Sequence, residues 1–411
     1  MSFLPDEKTP LLLKGEQLKF DIRENDVKPS LSNERINEKY VRGEIRIVTE
    51  QARYPLSTIA EIVESDSYEL SPEYQRRHRW TREQQSRLIE SLIMNVPIPP
   101  IFLYEYDYSR YEVMDGLQRL TAIHDFYRDR YALSGLTQWR ELNGRLYSQL
   151  PERVRGGIDR RYLSSVILLK ETAKNDKEAL NLKQMVFERI NSGGERLSPQ
   201  ETRNAIYDGP MNRTCIELSK TPSLCRLWGI PAPKEEEISG GASSQERLDN
   251  QEFRRMKDVE LVLRFFAYRQ KKNLHKGVSL SAYFDAYLQH SNRYSCDLLL
   301  ELANIFERTV NLIEEVFNER AFWLYRSHKR AREERWSWFE RPTTAVYDPL
   351  MYVASTHLDQ TEQLCREAKN IRDSMEEFYM NNYATFGGRD VNQVMLEARE
   401  QRFEDLFRRF I

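Results

Sequence analysis

The sequence predicts an α+β domain followed by a mainly α-helical C-terminal domain, and three observations predict it. Ile101–Tyr106 and Tyr111–Met114 are short β-rich runs separated by Asp107-Tyr108-Ser109-Arg110, the pattern of a β-hairpin. Tyr162–Leu169 is a further run of strand length, bounded by polar segments, and reads as a buried strand. Past Asp208-Gly209-Pro210 the character changes: from Met211 onward the apolar residues follow helical spacing and no β-rich hairpin stands out. The organisation expected is an N-terminal arm over residues 1–50, an α+β domain over 51–210 and a helical domain over 211–411.

Bulk composition fits that division. The chain has 411 residues, 40% hydrophobic and 31% charged, enough for two domains with cores of their own. Its 62 Lys and Arg against 64 Asp and Glu leave a net charge of −2, so any nucleic-acid contact must come from a local patch. No apolar run reaches the length of a membrane span and Met1–Lys8 lacks a signal-peptide core; the expected location is cytoplasmic, with no membrane partner. Cys215, Cys225, Cys296 and Cys365 lie too far apart for a C-x-x-C metal site and are expected to be reduced thiols.

In chain order, residues 1–50 are polar, mixed in charge and aperiodic, a flexible arm or a strap over another domain. Pro55–Val63 reads as a loop entering a short helix. Leu70–Trp80 then gathers Arg76, Arg77, His78 and Arg79 just ahead of Thr81, which with Gln84 forms a capping box opening a helix. Leu88, Ile89, Leu92 and Ile93 give that helix one apolar face, and Pro97, Pro99 and Pro100 end it. Tyr74 and Trp80 bracket the basic run, an arrangement suited to stacking on a base while guanidinium groups grip phosphate. A solvated, ion-paired loop is the plainer alternative.

The stretch Tyr111–Arg119 is the candidate site. An apolar run stops at Asp115-Gly116, and a helix begins whose buried face is Leu117, Leu120, Ile123 and Tyr127. The first backbone N–H groups of such a helix point outward and suit an anion. Asp115 as N-cap with Gln118 three residues on would explain the junction as a capping box, with no ligand. Arg119 fits less easily: a cation in the first turn opposes the helix dipole, and no chain neighbour is expected to neutralise it. His124, farther along the helix, reads as a satisfied, partly buried residue.

Leu182–Ile190 is helical, Asn191-Ser192-Gly193-Gly194 breaks it, and Ser198-Pro199-Gln200-Glu201 opens the next helix with a cap. That corner either aims Asn191 at a ligand or is only a well-made turn. In the second half, Val259–Phe266 is a helix buried on more than one side, Leu298–Val316 a long amphipathic one, and Met395–Ile411 a docking helix using Phe403, Leu406 and Phe410. Trp323–Arg341 interleaves arginines with Trp336, Trp338 and Phe339. Such a segment suits single-stranded or distorted nucleic acid, with Arg326, Arg330 and Arg335, and Arg79 in the other half, as candidate DNA contacts. A salt-bridged helix that buries its tryptophans is the alternative.

P-loop, G-x-G-x-x-G and H-E-x-x-H patterns are absent, and the six histidines form no visible metal cluster. Three stretches together, in this order, resemble the GmrSD-type N-terminal domain family. They are Pro72, Tyr74, Gln75, Arg76 and Trp80; Asp115-Gly116-Leu117-Gln118-Arg119-Leu120-Thr121; and Phe187–Gly194 with Leu197, Ser198 and Glu201. The resemblance covers roughly residues 50–210 and implies a ParB/sulfiredoxin-like fold and a nucleotide-linked role in bacterial defence against foreign DNA. It implies Asp115, Gln118 and Arg119 as the catalytic group, with Asp115 helping to hold Mg2+, and Tyr74, Gln75, Arg76, Arg77, Trp80 and Asn191 around an NTP. Leu117 stands where the family signature carries glutamine, which weakens the case for hydrolysis. Some relatives carry a His-Asn-His nuclease domain; no such site is visible here, so the expected partners are a nucleotide, DNA and a separate nuclease subunit.

Overall fold

The computed structural model describes residues 12–18, 32–41, 47–70, 77, 80–170, 176–190, 197–239, 243–270, 279–330, 333–387 and 393–411. The chain divides into two compact units, Val27–Ile206 and Met1–Asp26 with Tyr207–Ile411. The fold is α+β: a five-stranded sheet belongs to the first unit, and the second is mainly helical.

The sheet has the strand order β1-β5-β3-β4-β2, with β1 Thr49–Pro55, β2 Tyr68–Glu69, β3 Ile101–Asp107, β4 Arg110–Asp115 and β5 Tyr162–Leu169. The expected hairpin forms between β3 and β4, antiparallel, with Phe102 opposite Asp115. On its other side β3 runs parallel to the buried strand β5, pairing Ile101 with Ser165. Tyr68 on β2 donates a hydrogen bond from its hydroxyl to that of Tyr54 on β1 at 3.1 Å, so the outermost strands of the sheet meet. Helices Arg82–Ile93 and Leu117–Tyr127 pack their predicted faces into the core, burying Leu88, Ile89 and Leu92 from one and Leu117, Leu120 and Ile123 from the other. The Thr81–Gln84 capping box is present in both directions, at 3.3 and 2.9 Å.

One carboxylate fixes the loop that crosses this unit. Glu90 is buried on the Arg82–Ile93 helix, and its Oε1 accepts the backbone N–H groups of Thr137, Gln138 and Trp139 at 3.0, 2.7 and 2.9 Å. Burial alone pushes its carboxyl up, but those three donors and the Thr137 hydroxyl hold it below the usual carboxylate range.

In the second unit the helix Lys257–Arg269 is buried on nearly all sides, as its continuous apolar run predicts. Residues 12–18 belong to the same unit, a strap rather than a free arm. Glu16 is fully buried, where its carboxylate takes both the Nε and Nη2 of Arg269 at 2.7 and 2.9 Å. The four cysteines are unpaired. Among the described residues no helix is long and apolar enough to cross a membrane.

One expectation for this unit is overturned. Trp323–Arg341 is not a helix but an antiparallel ribbon, β6 Leu324–Arg330 and β7 Glu333–Phe339, so a β-rich hairpin does lie beyond residue 211. Alternation decides it: Tyr325, Trp336 and Trp338 share one side of a strand pair, whereas a helix would scatter them.

Replacing Glu90 with alanine leaves three amide donors without their acceptor, and about 2–4 kcal/mol of stability is expected to be lost, with a smaller loss for Glu90→Gln. Urea unfolding measures the first, and faster hydrogen exchange at the 137–139 amides places the effect in that loop.

Candidate functional site

β4 ends at Asp115, and the helix Leu117–Tyr127 begins two residues later. Between them Gly116 takes φ +99°, and a Cβ there would lie 2.4 Å from Ile101 Cγ2 and 3.0 Å from Arg119 Nη2. Only glycine fits, on conformation and on space. The chain therefore turns from sheet to helix with the helix start pressed against β3.

Two expectations fail at this junction. Asp115 is not the N-cap: Gly116 occupies that position and the helix has no side-chain cap. Arg119 is not left without a counter-charge, because its Nη2 donates to Asp115 Oδ2 at 2.9 Å and to the Pro100 carbonyl at 3.2 Å. The magnitudes explain the choice. A charge-assisted hydrogen bond contributes about 1.5–3 kcal/mol, against a few tenths lost to the helix dipole. Asp115 serves Arg119 instead of the helix N–H groups. The arginine is not fully satisfied, however: its Nε is buried with no hydrogen-bond partner. Asp115 remains the more open of the two, its side chain 36% exposed against 14%.

Gln118 connects a second predicted stretch to this one. Its Oε1 accepts the Trp80 backbone N–H at 3.1 Å, and Trp80 packs half-buried against the core. Arg77 is buried. Tyr74, Gln75, Arg76, Arg79, His78 and Asn191 lie outside the described residues. The helix Asp176–Ile190 is tied to β4 by Lys183, whose Nζ lies 2.6 Å from Glu112 Oε2 and 5.7 Å from the Tyr104 ring centre.

The Ser198–Glu201 capping box is present, with Ser198 N–H to Glu201 Oε2 at 2.6 Å and Glu201 N–H to Ser198 Oγ at 3.2 Å. The helix it opens was less legible. Gln200, Glu201, Arg203 and Asn204 are all buried, with Gln200 Nε2 donating to Asn204 Oδ1 at 3.2 Å and Arg203 Nη1 to Gln200 Oε1 at 3.3 Å. A polar helix start after so firm a cap, with no apolar stripe, was the available signal.

Toward the other end of the Leu117–Tyr127 helix, His124 is buried as expected. Its ring nitrogens lie 3.1 Å from Asp125 Oδ1 and 3.2 Å from Glu64 Oε1. Arg128 Nε donates to the same Glu64 oxygen at 2.9 Å. The hydrogen bond from Arg128, then that from His124, holds the Glu64 carboxyl down at about 2. Among the described residues no group of three or more His, Cys, Asp or Glu is arranged for a metal ion. Of the remaining candidates, Arg326 and Arg335 stand on the β6–β7 ribbon of the other unit, with Arg335 exposed; the Arg330 side chain lies outside the description.

A glycine at the strand-to-helix junction, an arginine clasped across it and a buried polar helix start all belong to one α+β unit. Residues 59–207, within that unit and its boundary, match the family described as GmrSD restriction endonuclease, N-terminal domain. No curated protein and no solved structure matches the chain.

Gly116→Ala is expected to cost about 2–5 kcal/mol through positive-φ strain and overpacking against Ile101. Thermal unfolding with wild-type stability would contradict the close approach. Because the folded Glu64 carboxyl titrates at about 2, below its usual value, its contribution is present above the ordinary carboxylate range and lost as pH falls through that window. The melting-temperature gap between wild type and Glu64→Gln should therefore be open at neutral pH and close as pH falls from about 5 toward 2.

Proposed function

We propose that this chain works in a restriction system directed at foreign or modified DNA, and that residues 59–207 bind a nucleoside triphosphate with Mg2+. The observation that carries the reading is the family match over that segment together with the junction it contains. There Arg119, buried along its stem, keeps one Nε–H without an acceptor beside an uncapped helix start. A phosphate oxygen is the acceptor best matched to both, since guanidinium and helix N–H groups favour the same anion.

The donor set fits a magnesium ion carried by the nucleotide and not an all-protein cage. Mg2+ commonly uses one or two carboxylates together with substrate phosphates and water, and Asp115 is the partly open carboxylate at this junction. When bound, the ion would draw charge off the phosphate oxygens. Asp115 would hold it, Arg119 would orient a phosphate, and Gln118 would fix the Trp80 backbone beside them. Arg76, Arg77, Tyr74, Gln75 and Asn191 complete the proposed nucleotide contacts. Any catalysis would be positioning and charge neutralisation, as in phosphoryl transfer generally. Leu117, with no polar group to orient a water, argues for slow or absent hydrolysis. DNA cleavage would then fall to a separate nuclease subunit.

Isothermal titration with each common nucleoside triphosphate, with and without Mg2+, and a phosphate-release assay test the proposal. Wild type is expected to bind at least one, and Arg119→Ala to bind it about 10–100-fold more weakly, as for a lost charge-assisted hydrogen bond. Asp115→Asn should remove the Mg2+ dependence while the fold persists by circular dichroism. Wild type that binds and hydrolyses none of them ends the nucleotide reading.

A further inference from the structure

Several arginines of this protein sit in ion pairs: Arg264 meets Asp348, Arg269 meets Glu16, Arg226 meets Glu314 and Arg128 meets Glu64. The β6–β7 ribbon concentrates basic residues. Residues 320–341 carry seven Lys and Arg against three Glu in a chain whose net charge is −2. Arg326 has a ring for a neighbour instead of a carboxylate: its guanidinium lies 3.9 Å from the centre of Phe339, and its Nε is buried with no hydrogen-bond partner.

The two sides of the ribbon are chemically opposite. Tyr325, Trp336 and Trp338 occupy one side and are consumed in packing within their own unit. Trp338 Nε1 donates to Glu376 Oε1 at 3.0 Å, its ring meets Tyr379 edge-on at 5.9 Å, and Arg320 sits over it at 5.4 Å. Trp336 stacks on Tyr325 at 5.8 Å and meets Tyr383 at 5.2 Å. All three rings are half-buried. The opposite side carries Leu324, Arg326, Ser337, Phe339 and Arg335, and the register puts positions 328, 330 and 333 on that side as well, one of them acidic.

We infer that the β6–β7 ribbon is a docking element for double-stranded DNA, gripping its phosphates through the Arg326 and Arg335 side while its tryptophans anchor it to the protein. A duplex is favoured on three counts. Single-strand binding without sequence preference relies on bases stacking on aromatic faces, and here each ring already packs against another side chain of its unit. A two-stranded antiparallel ribbon has the dimensions that the major groove of B-DNA admits. Alternate strand positions are about 6.8 Å apart, and diagonal cross-strand neighbours such as Arg326 and Arg335 about 7–8 Å, a spacing on the scale of the closely set charges of a nucleic-acid backbone. The basic excess of the segment and the exposed Arg335 complete the match to a polyanion.

The ribbon belongs to the second unit, and its role stands apart from the nucleotide reading. The test is fluorescence anisotropy of a labelled mixed-sequence duplex with the full chain, across a salt series, beside the same strand unpaired and an acidic polypeptide. Wild type is expected to bind the duplex best and to lose affinity steeply with salt. The double variant Arg326→Ala with Arg335→Ala should bind at least tenfold more weakly, with the log–log salt slope reduced by about 2. Trp336→Phe, in contrast, should leave duplex affinity unchanged. Circular dichroism and nucleotide titration of the double variant separate a lost ribbon contact from a lost fold or a failed nucleotide site. Duplex affinity indifferent to the double variant, tighter binding of the single strand with quenched tryptophan fluorescence, or preference for the acidic polypeptide would each overturn the inference.

Discussion

The absence of one Cβ, at Gly116, is the constraint on which the first unit turns. It lets β4 pass into a helix while Ile101 and Arg119 close over the junction, and it sets Asp115 within reach of Arg119 one helical turn on. The neighbouring features depend on it. The helix start has no side-chain cap because its nearest carboxylate is engaged elsewhere, Gln118 is released to hold the Trp80 backbone, and the buried face of Leu117, Leu120 and Ile123 is aimed at the sheet.

Several buried charges in each unit are met by an opposite charge or by backbone donors. Glu90 is balanced by backbone N–H groups, Arg269 by Glu16, and Arg264 by Asp348. Arg247, fully buried, has Glu237 at 3.1 Å, the Pro231 carbonyl and the face of Phe253 at 4.2 Å. Removing one member of such a set strands the other in a medium that solvates it poorly, which costs more than the pair contributes. In the ribbon Arg326 lies on a ring, as Arg247 does, and likewise keeps a buried Nε without a hydrogen-bond partner.

The parts of the fold legible in the sequence were local. The β3–β4 hairpin, the Arg82–Ile93 and Leu117–Tyr127 faces and the caps at Thr81 and Ser198 all rest on spacings of a few residues, and all are present. The failures were of two kinds. At Asp115-Gly116 the capping signature was real as a pattern, but the side chains that compose it had better partners in Arg119 and the Trp80 amide, one of them 38 positions away. In Trp323–Arg341 the density of arginine hid a period of two that Tyr325 and Ser327, and Trp336 and Trp338, display once the charges are set aside. The contacts of Glu90, of Lys183 with Glu112 and of Glu64 with Arg128 join positions 47 or more apart, and no window on the sequence contains both ends.

The strap at residues 12–18 carries a consequence for how the molecule can be divided. Its single carboxylate supplies the counter-charge inside the helical unit and also receives the bond that orders Leu13, while the Glu16 carbonyl accepts from Gln270 at 2.6 Å. Folding unit and sequence order thus do not coincide: a fragment cut at the apparent boundary near 207 would bury Arg269 without its partner. The helical half is a discontinuous object, threaded shut by a piece of chain that the ribosome completes well before the rest of it.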